Sequence, residues 1–152
     1  MMYQTTEGID ERLHLEGCYF FSVLRIFEVL TGYALSVKEV NMIFRQALEV
    51  GFIGHEKYGP CYMKERAVSR VLRIASALTH YHVSGRRVEL EKDSNFKIGK
   101  YVRRTSGGKA VSHFVLMDGL YNTFYDPWSE EGSRTVREGV FHSPRYIFAE
   151  LT

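Results

Sequence analysis

The sequence predicts an α+β domain, on three observations. In the first half, apolar residues recur at three- and four-residue spacing, the period of a helix with one buried face. In the second half they fall into short strand-like runs rich in Tyr, Phe, Val and Thr. Turn signals, Ser106-Gly107-Gly108 and Asp118-Gly119, separate some of those runs. Helices first and then a mostly antiparallel sheet give an α+β layout. The 152 residues suit one domain, with a helical half over about 1–79 and a sheet half over about 80–152.

The first helix opens near Cys18 and turns Val23, Ile26, Phe27 and Leu30 to one side. Gly32 stands where a C-cap belongs. The run from Tyr19 to Leu30 is broken only by Ser22, Arg25 and Glu28, so this helix is expected to be central and buried. A second helix begins at Ser36, with Glu39 three residues on as in a capping box. Val40, Ile43, Phe44 and Ala47 form its apolar face, and it stops near Gly51. The stretch from Gly51 to Met63, with Gly54, Gly59 and Pro60, reads as a mobile loop bordering a cleft. A third helix is expected from about Met63 to Leu78, with Ala67, Val71, Ile74 and Leu78 inward. Strands are expected at Tyr81–Glu89, Ile98–Thr105, Ser112–Asp118, Thr123–Asp126, Thr135–Glu138 and Arg145–Ala149.

Composition narrows the function. A net charge of +2 is too near balance to argue for a nucleic-acid partner. The basic stretch Lys97 to Lys109 reads as a solvated strand and turn. No apolar run reaches the ~18 residues of a membrane span, and the polar N-terminus is unlike a signal peptide. Two cysteines do not make a disulfide framework. The expectation is a reduced, cytoplasmic protein without a membrane partner.

Three polar residues stand out by their surroundings. Cys18 opens a buried helix, His113 sits in the apolar run Val111 to Met117, and Asp126 follows Thr123-Phe124-Tyr125. Pairing Met117 with Asn122 or Thr123 across a hairpin brings residue 113 opposite about 126 or 127. An imidazole and a carboxylate then meet. A thiol nucleophile needs both: the thiolate is the reactive form, and an imidazolium or a helix N-terminus favours it. The carboxylate orients the imidazole. Each residue alone has a plainer reading, as core thiol, core histidine or turn opener; the joint pattern points to chemistry. His55 is the one rival imidazole. Cys61 reads as a packing residue, with a Cys18–Cys61 disulfide as the rival. No Cys-x2-Cys or His-x3-His pair occurs, so neither a metal nor another cofactor is expected.

At these residues the chain resembles a known family. Cys18-Tyr19-Phe20-Phe21-Ser22 looks like the Cys-Trp-Ala-Phe-Ser that opens the central helix of papain-like cysteine peptidases. His113-Phe114-Val115-Leu116-Met117-Asp118-Gly119, followed by Tyr125-Asp126-Pro127, resembles the bacteriocin-leader-processing branch and its bacterial and phage-borne relatives. The resemblance implies a papain-like fold, with Cys18 as nucleophile, His113 as base and Asp126 as the orienting residue. It implies hydrolysis of a peptide or amide bond, in a peptide or a peptidoglycan-type substrate. The sequence departs from the family in one place. Arg12 stands six residues before the cysteine, where the family carries the glutamine of its oxyanion hole. Arg12, His14 and Gln4 are the candidates to replace it. With Tyr19, His55 and Tyr58, Arg12 and His14 complete the candidate substrate-contacting set. Three functions therefore stand open: a cysteine hydrolase, an inactive papain-like domain used for binding or structure, and a thiol transferase or inhibitor-like domain.

Overall fold

The computed structural model describes residues 1–152. After an N-terminal segment come α1 (Glu11–Glu16), α2 (Cys18–Thr31) and α3 (Val37–Glu49). A small antiparallel hairpin, β1 (Ile53–His55) and β2 (Gly59–Met63), leads to α4 (Ala67–Thr79). The second half holds β3 (Val83–Val88), β4 (Phe96–Arg104), β5 (Ala110–Met117), β6 (Thr123–Tyr125), the short helix α5 (Arg134–Glu138) and β7 (Val140–Leu151). The architecture is α+β. The five-stranded sheet has the order β3-β7-β4-β5-β6, with every pair antiparallel.

Helix α2 lies at the centre. Phe20, Phe21, Val23, Leu24, Ile26 and Phe27 are fully buried, and the helix packs on α4 and on β5 and β7 of the sheet. It ends at Gly32, left-handed at φ 71°, which caps the last turn through a bond to Glu28 O. Its acidic residue Glu28 is buried and useful: Oε2 accepts from Leu35 N–H at 2.7 Å, and Oε1 pairs with Arg25. That ties the helix to the chain entering α3. Helix α3 carries the expected capping box between Ser36 and Glu39. One apolar cluster of 27 buried residues joins α1, α2, α3, α4, the hairpin and the sheet. Gly85 lets α4 approach closely, since a Cβ there would lie 2.6 Å from Leu72 Cδ1.

Several elements differ from the sequence expectation. The stretch from Gly51 to Met63 is a hairpin, not an open loop, because Ile53 and Cys61 point into the core and the two strands pair around Gly59. Helix α4 starts at Ala67 because β2 occupies the residues up to Met63. Thr135–Glu138, expected as a strand, belongs to α5, whose N-cap Ser133 accepts from Val136 N–H at 3.2 Å. Strand β7 is longer than expected, running through Pro144 as far back as Val140.

The burial along α2 sets a test. Phe27→Ala is expected to lower unfolding stability by about 3–5 kcal/mol, whereas Leu30→Ala, at a half-buried position, costs about 1–2 kcal/mol. Urea denaturation measures both, and equal small effects would be inconsistent with a central α2.

Candidate active site

The site forms where the N-terminus of α2 meets the open end of β5. Gly17 closes α1 and opens α2: its N–H donates to Leu13 O at 3.1 Å, and its carbonyl accepts from Phe21 N–H at 2.9 Å. A Cβ on Gly17 would sit 2.6 Å from Leu13 O, so only glycine permits so abrupt a join. Cys18 is thereby the first residue of α2, and no side chain caps this helix. The N–H groups of a first turn have no intrahelical acceptor.

Strand β6 pairs only with the Leu116–Met117 end of β5, so β5 has a free edge further back. There the Phe114 N–H donates to Cys18 Sγ at 3.4 Å. The ring of Tyr19 packs on Phe114, centres 4.8 Å apart, and fixes the helix against the strand. Met117 pairs with Thr123 as strand counting predicts, and a register shift then sets Leu116 opposite Tyr125. Asp126 follows at the end of β6, and His113 Nε2 donates to its Oδ1 at 2.6 Å. Cys18 lies beside the same imidazole, close enough to favour its charged form. The three residues are 6%, 6% and 8% exposed for Cys18, His113 and Asp126, so the chain of contacts is shielded from water.

The carboxylate is held on every side. Oδ1 also accepts from Trp128 N–H at 3.0 Å, and Oδ2 accepts from Ser133 N–H at 2.8 Å. Trp128 and Ser133 are positioning residues the sequence reading missed; the signal was present in Ser133, an N-cap residue seven positions after the aspartate. Burial opposes ionisation of Asp126, but His113 and the two backbone donors prevail and its pKa is lowered. Burial likewise opposes the imidazolium of His113. Its bond to Asp126 and the neighbouring Cys18 outweigh that, and its pKa is raised to about 9.

A cleft of about 400 Å³ opens onto Cys18, within the range of small-ligand sites. Tyr19 and Tyr58 line it, as does Tyr62. Arg12, His14 and His55 do not. The Arg12 guanidinium is held by Asp10 at 2.8 Å, and the His55 ring packs against Tyr58 and edge-on against Tyr62. Gln4 is buried, with Nε2 donating to Leu13 O and His14 O at 3.1 Å each. Of the three candidates to replace the glutamine, only His14 keeps a side-chain donor site, Nε2, that is buried without a partner. Cys61 shares the cleft as a free thiol, like Cys18. Its Sγ donates to Arg12 O at 3.1 Å, and burial pushes its pKa up to about 12. A larger groove of about 810 Å³, between Val29, Phe96, Met117 and Phe124, contains none of these residues. No group of three or more His, Cys, Asp or Glu can hold a metal ion, and no helix is long and apolar enough to cross a membrane.

The chain belongs to the family described as "Protein of unknown function, DUF261", which matches residues 2–149. No curated protein and no solved structure matches it.

The raised His113 pKa makes stability depend on pH. A group whose pKa is higher folded than unfolded stabilises fully below its unfolded value, near 6.5 here, and that contribution is lost as pH rises through about 9. The expected loss between pH 6.5 and 9.5 is roughly 2–3 kcal/mol. Denaturant titrations at several pH values measure it, and His113→Gln should flatten that limb of the curve.

Proposed function

We propose that the chain is a papain-like cysteine hydrolase acting on a peptide or amide bond. One observation carries the reading: a single buried imidazole bonds at Nε2 to a fully held carboxylate and lies beside the thiol of a helix-opening cysteine, which favours its charged form. The order of elements, a cysteine-bearing central helix before an antiparallel sheet that supplies histidine and aspartate, fits a papain-like fold.

In this reading the Cys18 sulfur attacks the carbonyl carbon as a thiolate, since an imidazolium beside a thiol favours that form. The oxyanion faces the Cys18 N–H at the uncapped start of α2. The proton on His113 passes to the leaving amine as the carbon–nitrogen bond breaks, leaving a thioester. Water then attacks the thioester and gives a proton to His113, and the acid departs with Cys18 restored. Asp126 keeps the ring aimed throughout and does not itself take the proton.

One observation favours a second reading, an inactive papain-like domain that binds without cleaving. The position of the family's oxyanion glutamine is Arg12, and Asp10 holds that guanidinium away from the cleft. Loss of one such donor costs about 10²–10³ in rate.

Alkylation separates the readings from a packing role for Cys18. Iodoacetamide at about pH 6 is expected to modify Cys18 at least tenfold faster than Cys61, as read by peptide mass spectrometry. His113→Ala should slow that labelling about tenfold or more, and Asp126→Asn should slow it less. Hydrolysis of a peptide mixture by the native chain, lost in Cys18→Ala, supports the hydrolase. Fast labelling without any hydrolysis supports the binding domain.

A further inference from the structure

Three cations share the cleft that opens onto Cys18: Arg87 of β3, Lys100 of β4 and Arg145 of β7. Their meeting follows from strand register. Arg87 pairs with Ile147, two residues from Arg145; Arg145 pairs with Ile98, two residues from Lys100; Lys100 pairs with Phe114. Side chains alternate along a strand, so all three cations lie on one face of the sheet. Ile98, Leu116, Ile147 and Ala149 lie on that same face and are buried in the apolar core. The face is therefore apolar in the core and turns cationic toward the opening, beside the start of α2.

None of the three cations has a salt-bridge partner; the ion pairs of the chain fall on Arg12, Arg25, Arg45, Lys97, Arg134 and His113. Arg145 Nη1 donates to Ser143 Oγ at 2.9 Å and Pro144 O at 3.3 Å, and its guanidinium lies 5.5 Å from the centre of the Phe114 ring. Burial chiefly, and then the charge of Arg87, lower the Arg145 pKa. Glu16 is the one carboxylate lining the cleft, and its oxygens lie against Gly59 of the hairpin. Uncompensated like charges in a partly dry cleft repel, and an anionic ligand relieves that repulsion.

We propose that the cleft selects an anionic peptide, holding a substrate carboxylate on Arg87, Lys100 and Arg145 while a nearby carbonyl meets Cys18. The inference rests on the hydrolase reading for the chemistry but not for the binding. The carboxylate belongs either to an acidic side chain or to the free end of a peptide, and the test separates the two.

The first measurement compares alkylation of Cys18 by iodoacetate, an anion, and iodoacetamide, its neutral analogue, at pH 7 and low salt in the full-length chain. The neutral reagent corrects each variant for folding and thiol reactivity, so only the ratio of rates is read. Arg87→Gln combined with Arg145→Gln is expected to lower that ratio about tenfold, and Lys109→Gln, outside the cleft, should leave it within about twofold. A ratio unmoved by the double variant, or moved as much by Lys109→Gln, overturns the proposal. The second measurement compares cleavage of matched peptides: internal acidic, free carboxyl-terminal, amide-blocked neutral and basic. Preference for the first or the second kind, lost in the double variant, supports the proposal and names the carboxylate. Cleavage indifferent to charge overturns it while leaving the hydrolase in place. An Arg-dependent ratio with no cleavage of any peptide supports the anion site and removes the hydrolase reading.

Discussion

The bond between His113 and Asp126 is the contact on which the site depends. It joins a strand to the chain that follows its neighbour, thirteen residues on, and it does so out of water. Burying an ion pair costs several kcal/mol per charge unless every lone pair and proton finds a partner. Here the carboxylate finds them in the imidazole and in the N–H groups of Trp128 and Ser133. Beside the imidazole stands Cys18, which favours its charged form. The thiol itself is held next to the pair by the Phe114 N–H of the same strand.

That placement needs α2 to arrive at a fixed point, and most of the helical half serves this end. The fully buried aromatic and aliphatic face of α2 resists sliding, because a close-packed core charges for every displaced methylene. Gly17 allows α1 to end where α2 begins, and Glu28 fastens the far end to the chain before α3. The hairpin of β1 and β2 then walls the cleft with Tyr58 and Tyr62, while the sheet supplies cations to the opposite side. Apolar burial fixes the nucleophile, and three cations without ion pairs line the cleft beside it.

Much of this was legible in the sequence, for local reasons. The α2 face, the Ser36–Glu39 box and the Gly32 cap are written within a few residues of one another. The pairing of Met117 with Thr123 follows from a short turn, and it brought His113 to Asp126 by counting alone, even though a register shift intervenes. What escaped depends on distant parts of the chain. Glycines and a proline in Gly51–Met63 suggested a loop, yet Ile53 and Cys61 gain enough burial in the core to set a hairpin there. Thr135-Val136 favours a strand by propensity, and the Ser133 cap made it a helix. The cationic cluster could not be read at all, since Arg87, Lys100 and Arg145 meet only through the order β3-β7-β4. Arg12 was a candidate by spacing to Cys18; its neighbour Asp10 withdraws it.

Ring nitrogen resonances of His113 followed by NMR from pH 5 to 10 test the linked thiol, imidazole and carboxylate most directly. The ring should stay cationic up to about pH 9 in the native chain, and its midpoint should fall in Cys18→Ala and fall again in Asp126→Asn. A midpoint near 6.5 in all three proteins would mean that His113 shares no proton with either neighbour and that Cys18 is a packing residue.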